Sequence, residues 1–528
     1  MNKADSKITQ LSKWLHQRGI FTQIGVMGLL GALASLSLPP LFLAPAVLAF
    51  IPFFIHASSC KSTWQAILLF WGFAFGWFTA SLYWISASLF VDISWEVLIL
   101  PLSLFALPAF LSVFWGLAGF LVCKIGRTAE ARLLYSALFI GLAELLRSVL
   151  FTGFPWNSPS HLILTHDNLS QIASLIGQNG SVFLVLISIV GGCFLYLRFW
   201  KMGVLCLLPL LASIVYGGWR LDSSSVPVNA EFVQNPEILV RMVQPNVPQK
   251  ERWKSEFKNE QIDALFALSV LNKELPSLII WPEAAYPSIW PNSKAQFTSL
   301  ASSVLPENIQ LLSGMLRFDE ENKLYNSALL FNADGQLTGK IDKQKRVPFG
   351  EYIPFRNSLI FQNLNLFGNK IDISAGPNLG LLSTRENIKL KIFICYEIIF
   401  PNLVSLQGRP DIIINLTNDA WFGNTLGPYQ HLSQARLRAI EEGVPLVRVA
   451  NTGISAAFNY QGLLLGKIDL MEQGVLDVLV SLQQQNTIYS QYRWKIIFFI
   501  ISILIVCSVL LDVNFLKMQK TKKTNQWY

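Results

Sequence analysis

The chain has 528 residues, of which 52% are hydrophobic and only 14% charged, with a mean hydropathy of +0.42. That balance excludes a disordered or wholly water-soluble chain and places it among integral membrane proteins. The net charge of +8 and the pI of about 9.1 call for no nucleic-acid partner, because much of the excess lies in short loops and tails beside apolar runs.

Apolar runs suited to a hydrocarbon core of ~30 Å fall near Ile24–Leu38, Leu41–Ile55, Trp64–Ile85, Val97–Val122, Leu133–Phe151, Ser181–Leu197, Val204–Tyr216 and Ile496–Leu511. They predict eight spans, the first two and the seventh being short. The first follows a polar stretch with Lys3, Lys7, Lys13 and Arg18 and shows no small-residue cleavage site, so a retained span is expected. Lysine and arginine occupy every second connection: the N-terminus, Lys61, the Lys124–Arg127–Arg132 loop, the Arg198–Lys201 loop and the Lys517–Lys523 tail. The alternate connections, around Pro39, around Asp92 and Glu96, and from Thr152 to Gly180, have none. Both termini are therefore expected in the cytoplasm. The expected division is a transmembrane domain at 1–220, an outward-facing domain at 221–492, and a last span with a basic tail at 493–528. Glu144 and Arg147, three apart on one helix face, are costly in lipid and should pair. The aromatic runs FWGFAFGWF and LYW suit either an interfacial belt or packing inside the bundle.

Short β-branched or apolar runs follow in the outer segment: ILVRMV, SLIIW, IQLLSG, SALLF, LKIFIC, DIIINLT and GISAAF. They alternate with helical patterns at Glu256–Leu271 and Gln430–Glu442, which predicts a layered α/β domain. Asp334-Gly335 and Gln461-Gly462 predict hairpins, so the sheets should not be purely parallel. No internal repeat is visible.

Within this segment Cys395 is the single cysteine, while Cys60, Cys123, Cys193, Cys206 and Cys507 lie in or beside the apolar stretches. An unpartnered thiol outside the cytoplasm is a candidate nucleophile. Two other strand ends carry reactive groups, Glu283 in LIIWPEAAYP and Lys343 in GKIDKQKRVPFGEYIPF. A carboxylate can take the thiol proton, and an ammonium can hold the oxyanion of a tetrahedral intermediate. Taken singly, each residue also fits a bland role: a solvated turn, a surface lysine, a core cysteine. The five histidines are scattered, with no HExxH or Cys/His pairing, so no metal is expected. No GxSxG occurs in the outer segment and no GxxxxGK[ST] in the chain, so no serine hydrolase and no nucleotide cofactor is expected.

These three motifs, in this order, resemble the nitrilase (carbon-nitrogen hydrolase) superfamily. Together with the membrane frame they are similar to its membrane-embedded branch, the apolipoprotein N-acyltransferases. The similarity runs through AELLRSVLFTGFPWN, GQNGS, VQPNVPQKERW, WPEAAYP, KRVPFGEYIPF, ICYEIIFP and NLTNDAWFGNTLGPYQHLSQARLRAIEEGVPLVRVANTGIS. One departure is SPSH at Ser158–His161, after GFPWN, where relatives continue with other small or apolar residues. The resemblance implies a helical membrane bundle of eight spans carrying a periplasmic αββα sandwich, in the bacterial inner membrane. It also implies roles: Glu283 as general base, Lys343 as oxyanion stabiliser and Cys395 as acyl-accepting nucleophile. Glu351 would orient the lysine, Tyr396 would offer a backbone N–H to the oxyanion, and Glu397 would support the nucleophile. Trp253, Asn418, Trp421 and His431 are implied near substrate, with ordinary packing as the alternative for each.

The implied reaction is a two-step acyl transfer without cofactor, from a phospholipid such as phosphatidylethanolamine to the N-terminal amine of a diacylglyceryl-apolipoprotein. A monomer is expected. Two other classes stay open on the residues alone. One is a membrane-tethered nitrilase or amidase that uses water as acceptor. The other is a transporter, which would need more ionisable groups in its spans than this chain has.

Overall fold

The computed structural model describes residues 7–90, 100–222, 236–271, 275–354, 356, 372–377, 380–403 and 408–524. The chain forms two compact units, one of helices and one of mixed α/β structure. Asp92, Glu96 and Phe355, which figured in the sequence argument, lie outside the described residues.

The helical unit holds α1 (Lys7–His16), α2 (Ile20–Ser35), α3 (Phe50–Ser58), α4 (Thr63–Leu82), α5 (Leu100–Ile125), α6 (Ala129–Arg147), α7 (Asp167–Ser170), α8 (Ala173–Tyr196) and α9 (Trp200–Asp222). Polar N-caps begin two of the long helices, Ser62 accepting from the Gln65 N–H for α4 and Thr128 from the Ala131 N–H for α6. Five described helices are long and apolar enough to cross a membrane: Thr63–Ser88, Leu100–Ile125, Ala173–Tyr196, Trp200–Asp222 and Ile488–Lys517. Ile20–Ser35 and Ala44–Ser58 are apolar but shorter, and α6 carries Glu130, Arg132, Glu144 and Arg147 along its length. Helices α2 and α4 touch through glycine: a Cβ at Gly76 would overlap the Gly28 carbonyl, the close backbone approach by which helices associate in lipid. Phe70, Phe73, Trp77 and Phe78 of the FWGFAFGWF run are fully buried, with Phe73 stacked on Phe53 at 4.2 Å. Those rings fill the bundle rather than forming a belt.

Glu144 and Arg147 form the expected ion pair at 2.5 Å, almost wholly buried. The Trp115 indole N–H donates to Glu144 at 2.8 Å, and the Arg147 guanidinium donates to the carbonyls of Phe154 and Trp156. A charge in apolar surroundings persists only when paired and hydrogen-bonded in this way.

The α/β unit contains β1 (Glu237–Gln244), α10 (Lys258–Ser269), β2 (Leu278–Ile280), β3 (Ile289–Trp290), α11 (Lys294–Val304), β4 (Gln310–Phe318), β5 (Leu324–Phe331), β6 (Leu337–Asp342), β7 (Leu382–Ser383), β8 (Lys389–Ile394), β9 (Ile412–Thr417), α12 (Gly427–Glu442), β10 (Leu446–Ala450), β11 (Ser455–Phe458), β12 (Leu464–Ile468) and β13 (Gly474–Ser481), and α13 (Ile488–Thr524) follows. One sheet runs β13-β1-β2-β4-β5-β6, with β3 beside β4, and the other runs β7-β8-β9-β10-β11-β12. From edge to edge both sheets show the same pairings: antiparallel, parallel, parallel, antiparallel, antiparallel. The two sheets thus share one pairing order, which the sequence does not reveal.

Helix α10 packs on β1 and β13 outside the first sheet, α12 packs on β10 and β11 outside the second, and the sheets meet through β1 with β10 and β5 with β8. The central parallel strands, buried on both faces, are continuous apolar runs such as Ile412–Ile414. Trp281, Phe266, Phe297 and Phe331 join strand and helix layers in the outer core of the first sheet. Both predicted hairpins form, Gly335 at φ +71° and Gly462 at φ +72° adopting the left-handed conformation their turns require.

Candidate active site

Residues that follow the strand ends build the site. Glu283 lies three residues past β2, on a turn pressed against β4, where the Ala285 N–H donates to the Gly314 carbonyl at 2.8 Å. A Cβ at Gly314 would collide with the backbone of Pro282 and Glu283, so only glycine permits this approach. Buried Arg252 donates to the carbonyls of Glu283 and Ala284 and fixes the turn from the other side.

Lys343 directly follows β6, and its ammonium donates to Glu351 at 2.8 Å and to Glu283 at 3.3 Å. Burial opposes its charge, but Glu283, Glu351 and Cys395 together outweigh that cost and raise it well above the usual lysine range. Asn326, on β5, completes the group by donating its amide to Glu283 at 2.8 Å and to Glu351 at 3.3 Å. Glu351 also accepts from the Val347 N–H at 2.8 Å, which folds the loop after Lys343 back on the lysine.

Cys395 follows β8 as the first residue of a tight helical turn, Cys395–Ile399, with φ of +54°. A non-glycine residue held there is strained, the arrangement by which a strand-to-turn elbow presents a nucleophile. Burial, and then Glu283, push the thiol up to about 12, against the pull of Lys343. The resting thiol is therefore neutral, and attack requires a base. Glu397 clamps the elbow to the lysine loop, accepting from the Ile394 N–H on one oxygen and the Gln344 and Lys345 N–H groups on the other, at 2.7–2.9 Å. Tyr396 is buried against Phe400, ring centroids 5.0 Å apart.

The residues expected near substrate are placed differently from one another. Trp253 is 47% exposed and Trp421 is half-buried. Asn418 is buried and engaged with the protein, donating to Gln249 at 2.8 Å and accepting from Asn451 at 3.1 Å. His431 has no exposed surface, and its ring lies between Asp419 and the Cys395 carbonyl. The side chains of Asn418 and His431 are both engaged with other groups of the protein.

Sequence reasoning passed over Asn326, Arg252, Asp419, Arg448 and Asn415. A polar asparagine inside the strand pattern LYNSALLF was the available signal for Asn326.

A family model described as carbon-nitrogen hydrolase matches residues 240–488, and one described as the apolipoprotein N-acyltransferase N-terminal domain matches residues 30–191. An apolipoprotein N-acyltransferase from Rhizobium rhizogenes is 36% identical, covering 86% of this chain and 87% of its own. The chain belongs to the apolipoprotein N-acyltransferase family. Members from Brucella suis and Rhodopseudomonas palustris are 32% and 33% identical over 89% and 88% of the chain. A crystal structure of a carbon-nitrogen hydrolase from Helicobacter pylori aligns with 47% of the chain at 16% identity and a TM-score of 0.37. As a member of the N-acyltransferase family the protein is an enzyme of acyl transfer, its C-terminal part a nitrilase-like domain joined to several apolar helices.

Proposed function

We propose that the protein moves a fatty acyl chain from a membrane phospholipid, the sn-1 chain of phosphatidylethanolamine, through a Cys395 thioester to the α-amine of a diacylglyceryl-cysteine at the N-terminus of an apolipoprotein. The observation that carries this reading is a buried thiol set beside one ammonium paired with two carboxylates. In the first step Sγ attacks the ester carbonyl, and Glu283 accepts the thiol proton. Lys343 and the Tyr396 N–H hold the oxyanion. Collapse of the intermediate breaks the acyl C–O bond, and the proton on Glu283 passes to the leaving glyceryl oxygen, releasing a lysophospholipid. In the second step the amine attacks the thioester, its proton moves through Glu283 to the departing sulfur, and an amide forms. An ester and a thioester are close in energy whereas the amide is far more stable, so the second step drives the sequence without ATP.

The reading extends to the frame: eight spans, domains at 1–220, 221–492 and 493–528, a catalytic domain on the periplasmic face of the inner membrane, cytoplasmic termini and a monomer. The alternation of basic and uncharged loops supports this orientation. Trp253 and Trp421 are proposed to meet the lipid substrates, since they keep accessible aromatic surface.

The test is to incubate the purified protein with phosphatidylethanolamine and map acylation by mass spectrometry. A hydroxylamine-labile acyl adduct on the Cys395 peptide, discharged by a diacylglyceryl-peptide amine, is expected. An adduct elsewhere overturns the mechanism, and discharge by water alone assigns the protein to the hydrolases.

A further inference from the structure

Behind the nucleophile lies a buried polar cluster that the chemistry above leaves without a task. His431, on α12, sits with one ring nitrogen, Nε2, 3.2 Å from the Cys395 carbonyl oxygen. A carbonyl only accepts, so Nε2 carries the proton and donates; burial and Arg448 hold the ring below the ordinary histidine range, and the neutral ring's Nδ1 accepts from Arg448. The other ring nitrogen lies 2.9 Å from Asp419 Oδ1 and 3.1 Å from Arg448. Arg448, on β10, pairs with Asp419 at 2.5 Å and donates to Asn415 Oδ1 at 2.5 Å. Asn415 in turn points its amide at the carbonyls of Phe393 and Cys395, at 3.1 and 3.4 Å. Asp419, His431, Arg448 and Asn415 are all buried. Two arms anchored on Arg448 therefore converge on one carbonyl, that of the strained residue.

The peptide between Cys395 and Tyr396 is planar, and in a trans peptide its C=O and N–H point in opposite directions. Holding the oxygen on one side therefore aims the Tyr396 N–H on the other. A hydrogen bond accepted by the carbonyl also polarises the unit and strengthens its N–H as a donor. We propose that His431, oriented by Arg448, which Asp419 holds in place, is a positioning residue that fixes the Cys395–Tyr396 peptide so that the Tyr396 N–H meets the oxyanion formed during acyl transfer. The inference rests on the thioester reading and adds to it a structural origin for the oxyanion donor. It also accounts for the φ of +54° at Cys395, since such a conformation persists only when its surroundings over-determine it.

The test compares two reactions of the same thiol in the full-length, detergent-solubilised protein. Acylation by phosphatidylethanolamine passes through an oxyanion, whereas alkylation by iodoacetamide displaces iodide at a methylene carbon and forms none. His431→Phe keeps the ring and removes the donor. It is expected to slow single-turnover acylation of Cys395 roughly 30-fold while alkylation changes by less than about threefold, and His431→Gln, which restores a donor amide, should recover most of the loss. Equal losses in both reactions, or no loss in either, overturn the inference. Should His431→Phe not fold, Asp419→Asn keeps the side-chain volume, removes the charge that holds Arg448 against the ring and carries the same comparison. If the wild-type protein gives no Cys395 adduct with phospholipid, the thioester reading itself fails and takes this inference with it. If the wild type acylates and the variants acylate equally well, only this inference fails.

Discussion

Glu283 and Asp419 hold matching places in the two halves of the α/β unit, just beyond β2 and β9, which occupy the same position in their sheets. Their surroundings diverge. Glu283 shares one ammonium with Glu351 and takes a further hydrogen bond from Asn326. Asp419 has Arg448 to itself, and His431 and Thr417 beside it. Burial works against the Asp419 charge, but Arg448 and His431 overcome it and hold the carboxyl at about 2. Asp419 is thereby a fixed anchor for Arg448, whereas Glu283 divides its ion pair with Glu351. The same topological place therefore holds a carboxylate in a shared ion pair in one half and in an ion pair of its own in the other, according to which partners the adjoining strands deliver.

Breaking the reactive half should produce the largest effect. Glu283→Gln keeps the shape and removes the base, and steady-state acyl transfer should fall by about 10³-fold with thermal stability nearly unchanged. Comparable loss of melting temperature and activity would place Glu283 with the anchors instead. In the supporting half the order reverses: Asp419→Asn leaves Arg448 without its buried counter-charge and should cost about 3 kcal/mol of stability, read from denaturant unfolding. Because the Asp419 carboxyl is depressed in the fold, its contribution is complete above the ordinary aspartate range near pH 4 and is lost as pH falls toward 2. The variant should therefore lack that part of the acid-induced loss.

Asn326→Ala releases both carboxylates that face Lys343, and kcat should drop roughly 30-fold with a smaller change in KM, since the residue positions groups rather than touching substrate. The thiol supplies a gentler reading of the same electrostatics. With Cys395 raised to about 12, its thiolate fraction grows tenfold per pH unit, so iodoacetamide alkylation should climb about tenfold per unit from pH 7 to 10 without a plateau. A plateau below pH 9 would mean that Lys343 prevails over burial and Glu283. The smallest effect is expected at Trp253, whose exposed ring supports neither half: Trp253→Ala should raise KM for phospholipid about threefold and leave unfolding unchanged.

Much of this was legible because it is local. The runs ILVRMV, LKIFIC and DIIINLT became β1, β8 and β9, and the reactive residues Glu283, Lys343 and Cys395 follow strands where chain direction alone puts them. The pair Glu144–Arg147 was legible too, since a helix places residues three apart on one face. Edge pairing was not: Glu237 of β1 pairs with Ser481 of β13, and no periodicity reveals a partner so distant in the chain. Asn326, Arg252 and Arg448 escaped notice for the same reason, as each gains meaning only from a group on another strand or loop. The repeat of pairings between the two sheets escaped as well, because hydrogen-bonding order can persist where side chains share no pattern.

By itself, then, the amino-acid order determined a chain with several apolar helices and an α/β domain, the strands of its core, and a thiol, a carboxylate and an amine at strand ends. Hydropathy and periodicity act residue by residue along the chain and need no fold to be read. Only the tertiary structure decided that Glu283 shares Lys343 with Glu351 while Asp419 pairs with Arg448, and that His431 lies against the Cys395 carbonyl. Charge balance inside a protein depends on distances between segments far apart in sequence, and folding sets those distances.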